Sequence, residues 1–370
     1  MRRLHLTCLS MALLLCSLGA GLVPAPARAA DGPEWQHELW IAAQLNQKTP
    51  TSPVVLLLGG SSGREATVSD ASWAADVLQR GGTPVITYSL AARRQTFEQE
   101  IALVKALPRI PMLIFIGVSG GRFTSAFTTT TDTTPPAAKP SYVRHHYRSA
   151  NRWTPERKQE RVEYWLSRRY PLFKERYATH LAQLDRLIST CVQRGYSPVV
   201  LALPRNIEAM GGALDAPTAK YLGDGRRLAM KHGVPFVDFV PDLQLSSDDF
   251  YDLDHLVESG RPKYQARLAD ETVELLTASW ITTLTEEQAG GEPGEPAASR
   301  GGLLWPAALG AVLLGVTLAA WRRRSVTRRR RLQRRPGRRP GPRAPAPRGR
   351  TSEPTGRNDW PDATGHPGET

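Results

Sequence analysis

The sequence predicts an α/β domain, a three-layer sandwich built on a five-stranded and mainly parallel sheet. Three observations carry this: five short runs that are apolar almost throughout, helical patterns between them, and glycines at the junctions. A strand covered on both faces reads as an unbroken apolar run, whereas a strand with one wet face alternates. The first run is Val54-Val55-Leu56-Leu57-Leu58, entered from Pro53, and the second spans residues 83–88. Met112-Leu113-Ile114-Phe115-Ile116-Gly117 is the third. The fourth, Val199-Val200-Leu201-Ala202-Leu203, follows Pro198, and the fifth spans residues 234–239.

Between the third and fourth runs, Phe173, Tyr177, Leu181, Leu184, Leu187, Ile188 and Cys191 recur mainly at three- and four-residue steps, which is one face of a helix. Gly195 closes this helix ahead of the fourth run, and His232-Gly233 closes another ahead of the fifth. A last helix is expected over residues 262–280. Strand and helix alternate, as they do where crossover helices cover a parallel sheet. Residues 125–172 interrupt that order: a Thr, Pro and Ala-rich stretch precedes His145, His146, Tyr147, Arg148, Trp153 and Trp165. They read as a long insertion near the mouth of a site, either a lid or substrate-recognition element or a plain exposed excursion. Two adjacent histidines without further ligands at useful spacing do not make a metal site.

The ends of the chain differ in kind from this middle. Met1-Arg2-Arg3, a mostly apolar stretch over residues 4–23 and Ala27-Arg28-Ala29 have the form of a secretory signal peptide, with cleavage expected after Ala29. Residues 285–301, rich in Gly, Pro and Glu, read as a flexible linker. Residues 302–321 carry no charge, match the ~20 residues of a membrane-spanning helix and hold Trp305 and Trp321 near their two ends. The Pro/Arg-rich tail of residues 322–370 is read as disordered, and by the positive-inside rule as cytoplasmic, which leaves residues 30–284 outside the cell.

The formal net charge of +13 belongs to these ends: fifteen arginines face four acids in residues 322–370, and residues 1–29 hold three more arginines. The domain between is close to neutral, and almost no aromatics interleave with the tail arginines, so nucleic acid is not an expected partner. A single cysteine, Cys191, remains in the mature domain and sits on an apolar helix face. No internal disulfide is therefore possible, and an ordinary core must hold the domain.

Two segments carry chemistry. Gly59-Gly60-Ser61-Ser62-Gly63 puts a serine on a glycine-rich turn directly after the first strand, and Asp252-Leu253-Asp254-His255 places acids one and three residues before a histidine. Brought together, Ser61, His255 and Asp252 have the character of a nucleophile, its base and the group that orients the base, with Asp254 as an alternative orienter. The spelling G-x-S-x-G also fits the nucleophile elbow of α/β-hydrolases. That elbow needs several strands before it, however, and here the serine follows the first. Read without catalysis, the same glycines form an ordinary βα turn or a phosphate cradle, and the histidine caps the next helix.

Together the two segments resemble the SGNH (GDSL-like) hydrolase superfamily over residues 50–280, with the general look of exported actinobacterial members. In that family a Gly-Asp-Ser block follows the first strand, and here Gly59-Gly60-Ser61 has glycine for aspartate. An Asp-x-x-His block precedes the last helix, matched by Asp252 to His255. The resemblance implies an SGNH/flavodoxin-like sheet and an oxyanion hole made by the Ser61 amide and two further donors. Where the second donor is a glycine amide, this chain reads Ser89-Leu90-Ala91-Ala92-Arg93-Arg94-Gln95-Thr96, which leaves the amide of Ala91 or a neighbour. Where the third is an asparagine, it reads Gly117-Val118-Ser119-Gly120, which leaves Ser119.

Joined to the reading of the chain ends, the resemblance implies a membrane-tethered extracellular serine esterase or acyltransferase acting on an acyl ester of an envelope glycan, teichoic acid or lipid. Such an enzyme needs neither metal nor organic cofactor. The competing expectation, drawn from the two altered oxyanion positions, is a weak or inactive SGNH-like module that binds a glycan or partner protein at the cell surface.

Overall fold

A computed structural model describes residues 32–125 and 131–278. The expected signal peptide, linker, membrane helix and tail lie outside these residues, and no described helix is long and apolar enough to cross a membrane.

Five parallel strands form one sheet in the order β2-β1-β3-β4-β5: β1 (Val54–Leu58), β2 (Ile86–Leu90), β3 (Met112–Val118), β4 (Ser197–Ala202) and β5 (Phe236–Val237). β1 lies in register between its neighbours, with Leu58 opposite both Leu90 and Ile116. The unbroken apolar runs are explained by what covers each face. Val54, Leu56 and Leu58 of β1, with Ile114 and Ile116 of β3, enter one core, while Val55, Leu57 and Phe115 enter the other. Alternate residues point to opposite faces, so two cores demand two apolar sets from each strand.

The first core is closed by α1 (Pro33–Gln47), α4 (Phe97–Ala106) and α6 (Tyr170–Gln193), with α8 (Asp215–Lys231) beside α6. The second is closed by α3 (Asp70–Gln79) and α9 (Gly260–Thr277), through Trp73, Val77, Tyr264 and Leu268. Short helices α2 (Ser61–Arg64) and α7 (Ile207–Met210) follow β1 and β4, and α5 (Pro155–Tyr164) precedes α6. Cys191 is buried and unpaired in the first core, and desolvation there raises its thiol well above the ordinary range.

Local signals account for most boundaries. Thr96 and Gln99 form a capping box at the start of α4, and Ser69 accepts from the Ser72 amide at the start of α3. Gly195, with φ of +78°, turns the chain from α6 into β4, a conformation that costs glycine little. Three expectations shift. β2 begins at Ile86, not Thr83, because Pro84 cannot donate to a ladder. β5 pairs over only two residues, since Asp238 leaves the ladder to bind Arg205 through two hydrogen bonds of 3.0 and 2.9 Å. α9 starts at Gly260 and ends at Thr277, earlier at both ends than residues 262–280.

The segment read as an insertion has two parts. Residues 131–148 follow an irregular path, and residues 155–169 are helical. α5 continues into α6 through a π-helical turn, Trp165–Arg169, in which the Tyr170 amide donates to the Trp165 carbonyl.

Candidate active site

The sheet topology puts the C-terminal ends of β1, β3 and β4 side by side, and the three loops leaving them meet there. β1 ends at Leu58, Gly59 and Gly60 turn the chain, and Ser61 opens α2. The turn is tight because Leu203 fills the space under it. A Cβ on Gly59 would lie 3.4 Å from the Leu203 side chain, and one on Gly117 of β3 only 2.7 Å from it. Those glycines let the serine-bearing turn sit directly on the sheet end.

The histidine loop is equally determined. Phe250 and Leu256 form an antiparallel bridge, and the Tyr251 amide donates to the His255 carbonyl at 2.8 Å, which closes residues 251–255 into a tight loop. Inside it, Asp252 Oδ1 accepts from the backbone amides of Asp254 and His255 at 3.1 and 3.0 Å. From the β4 side, Asn206 donates its side-chain amide to the Asp252 carbonyl at 3.1 Å, and its backbone amide to Leu253 at 2.8 Å. Lys158 of α5 is buried and donates to the Phe250 carbonyl at 2.9 Å.

These two loops bring the predicted residues together. His255 Nε2 lies 2.8 Å from Ser61 Oγ, a contact between residues 194 positions apart. His255 Nδ1 lies 2.9 Å from both carboxylate oxygens of Asp252. With the Nδ1 proton given to Asp252, Nε2 is left to accept from the Ser61 hydroxyl. Asp254 is close as well: its Oδ1 is 3.1 Å from Nδ1, and its Oδ2 accepts from the Ser62 hydroxyl at 2.8 Å. Asp252 makes the fuller set of bonds and is the more buried, so the structure favours it over Asp254 as the orienter.

Burial disfavours a charged imidazole, yet Asp252 first and then Asp254 outweigh it and raise His255 to about 9. Burial also opposes the Asp252 carboxylate, but the positive imidazole, its hydrogen bond and the two loop amides hold Asp252 below its usual range. Asp254 goes the other way: burial, with the charge of Asp252 adding to it, raises its carboxyl. Asp252, Asp254 and His255 also bring ligand atoms within 4.8 Å of one another. Their polar atoms are already engaged with Ser61, Ser62 and the loop amides, the pattern of a proton relay more than of a metal ligand set.

A cavity of about 200 Å³ opens over Ser61 and His255. Ser119 stands in its wall. Ala91 does not line this cavity. It packs under the serine turn, where a Cβ on Gly63 would lie 3.3 Å from its own Cβ, and Arg94 and Gln95 take the wall position on that side.

Three features of the site have no local sequence signal. Glu65, fully buried just after the serine turn, accepts from Arg64 at 3.0 Å and Arg261 at 3.1 Å, and meets His146 Nδ1 at 2.9 Å. Arg64 pairs again with Glu34 of α1, a helix that lies ahead of every element expected from the sequence. Tyr147 lays its ring on Tyr251 at 4.2 Å and against the His255 imidazole at 5.0 Å, while the Trp153 amide donates to the Tyr251 carbonyl at 2.9 Å. The inserted segment thus packs on the histidine loop; of its paired histidines, His146 meets the Glu65 carboxylate.

No protein-family model matches the sequence, and no curated protein does. Solved structures do show likeness. A variant of an acetylxylan esterase from Geobacillus stearothermophilus aligns at 12% identity over 58% of this chain and 92% of its own, with a TM-score of 0.37. The esterase EstA from Pseudoalteromonas aligns at 9% identity over 60% and 98%, with a TM-score of 0.35. TesA aligns at 14% identity over 60% and 98%, also at 0.35. At such identities and scores the likeness carries no argument about chemistry, which must come from the side chains of this chain.

Proposed function

We propose that this protein is a serine ester hydrolase or acyltransferase of the SGNH type, in which Ser61 is the nucleophile, His255 the base and Asp252 its orienter. The observation that carries the proposal is the unbroken line from Ser61 Oγ through His255 to Asp252, at 2.8 and 2.9 Å. Two loops from opposite ends of the domain are bent to make it.

His255 Nε2 takes the hydroxyl proton as Ser61 Oγ attacks the ester carbonyl carbon. Asp252 holds the tautomer and stabilises the imidazolium. The oxyanion draws on the Ser61 amide and Ser119. The proton on Nε2 then passes to the departing alcohol oxygen as the acyl–oxygen bond breaks. Water, or an acceptor hydroxyl, is deprotonated by the same imidazole and releases the acyl group from Ser61. The location read from the sequence, a domain held outside the membrane, supports an acyl ester of an envelope glycan, teichoic acid or lipid as substrate.

A second reading, a weak or inactive binding module, is favoured by two observations. Ser119 is a shorter donor than an asparagine amide and Ala91 does not line the cavity, and loss of one donor costs about 10²–10³ in turnover. A fluorophosphonate probe separates the two readings. The active enzyme is labelled, Ser61→Ala is not, and only the former turns over short acyl esters. Absence of Ser61-dependent labelling and turnover across the pH range would leave the binding module.

A further inference from the structure

The arginines of the cavity are not accounted for by acyl transfer. Five of them line it: Arg94, Arg122, Arg161, Arg169 and Arg205. Two are committed to the fold, Arg122 to buried Glu100 at 2.7 Å and Arg205 to Asp238 at 2.9 Å. Arg161 and Arg169 are different. Among the described residues, neither has a carboxylate within ion-pair distance: Arg161 lies over the Tyr164 ring at 4.8 Å, and Arg169 donates to the Thr124 hydroxyl at 3.3 Å. The acids of the cavity are engaged elsewhere, Asp252 with His255 and Asp254 with His255 and the Ser62 hydroxyl, although the Arg161 charge also acts on Asp254.

Helix geometry makes the pairing of these two arginines specific. At about 100° per residue, positions eight apart on an α-helix are offset by about 80° around the axis. The π turn at Trp165–Arg169 inserts one extra residue and takes back about 100°, so Arg161, Trp165 and Arg169 come onto one face. All three line the cavity. Arg94 lines the same cavity, and its φ of +62° is the one left-handed non-glycine conformation among the described residues. Such a conformation in a long side chain is uncommon and collects at functional sites.

Resting on the ester chemistry proposed above, we infer that this cavity selects acyl esters that carry a phosphate group, gripped by Arg161 and Arg169. Guanidinium forks match phosphate oxygens geometrically, and a charge-assisted hydrogen bond is about twice as strong as a neutral one. Phosphate of this kind belongs both to a phospholipid headgroup and to a phosphate-linked polymer.

The test uses the full chain in detergent with two matched probes, the butyryl esters of glycerol and of glycerol 3-phosphate. The expected kcat/KM favours the phosphate ester by at least about tenfold, as loss of one charged hydrogen bond predicts. Inorganic phosphate competes with it. Arg161→Gln combined with Arg169→Gln brings the ratio near one, whereas Arg157→Gln, on the same helix but outside the cavity, keeps it. If the double glutamine variant loses its circular-dichroism fold, the double lysine variant, which keeps charge but not the fork, gives an intermediate ratio. Micellar lysophosphatidylglycerol and acylated poly(glycerol phosphate) then assign the source by which is turned over. Equal rates on the charged and neutral esters overturn the inference and leave the esterase intact. If neither ester reacts, the esterase reading falls, and calorimetry with inorganic phosphate decides the anion site: binding that the double variant loses supports it, and no binding overturns it.

Discussion

Replacing Asp254 by asparagine is expected to make the enzyme faster at neutral pH. His255 is raised to about 9 because, against the cost of burial, it faces Asp252 and then Asp254. With that value about one imidazole in a hundred is neutral at pH 7, so kcat/KM should climb about tenfold per pH unit and level off near pH 9. Asp254 Oδ1 lies 3.1 Å from Nδ1. A unit charge at ~4 Å and an effective dielectric of ~20 contributes about 4 kcal/mol. The real effect is smaller, because burial and Asp252 already raise the Asp254 carboxyl and part of its charge is lost. A fall in the His255 value of about one unit, and a gain of about tenfold at pH 7, are the expected result. Asparagine keeps the acceptor for the Ser62 hydroxyl, so the serine turn should stay in place.

The assay is kcat/KM on a neutral short-chain ester, measured by pH-stat from pH 6 to 10, with Asp252→Asn alongside as the variant that loses about 10⁴ in rate. An unchanged profile, or a loss as deep as that of Asp252→Asn, would refute the assignment of Asp252 as orienter and Asp254 as tuner. Stability moves the other way. A histidine raised in the folded state stabilises fully below its unfolded value of about 6.5 and loses that contribution as pH rises through about 9. The wild type should therefore lose thermal stability over the same window in which it gains activity, and Asp254→Asn should lose less.

Two further outcomes come from the packing around the site. Glu65→Gln removes the carboxylate that faces buried Arg64 and Arg261, and since Arg64 keeps Glu34 it is Arg261 that is left uncompensated; breaking a buried pair costs about 3–5 kcal/mol, so Tm should drop by about 10 °C in a melt at neutral pH. Burial opposes the Glu65 carboxylate, but His146 and Arg64 hold it below its usual range. Its contribution is accordingly present above about pH 4.5 and fades as pH falls through the lower folded value, so wild type and variant should converge in acid. Gly117→Ala forces a Cβ to 2.7 Å from Leu203, which already fills the space beneath the serine turn, and should cost about 1–3 kcal/mol by denaturant titration.

β1, β3 and β4 were legible because each is buried on both faces, and that burial is written into consecutive residues. Ser61 and His255 were legible for a related reason: a nucleophile needs a glycine turn at a strand end, and an Asp–His loop needs short spacing. Both demands are local. β5 was overread, since its apolar run does not reveal that Asp238 is drawn away by Arg205. Which residues of the loop after β2 line the cavity, Arg94 and Gln95, depends on how the serine turn packs on that loop and has no local signal. The partners of Glu65 come from α2, the inserted segment and α9, and their meeting leaves no periodic trace.

The sequence by itself determined the class of sheet, the strand that carries the serine and the identity of the Ser61, His255 and Asp252 set, because each rests on burial or spacing within a few residues. Only the tertiary structure decided that Tyr147 and His146 close on the site and that Glu65 gathers Arg64, Arg261 and His146 around it. The contacts of Tyr147, His146 and Arg261 cross about 80 to 200 residues, set by how the layers pack and not by any one segment.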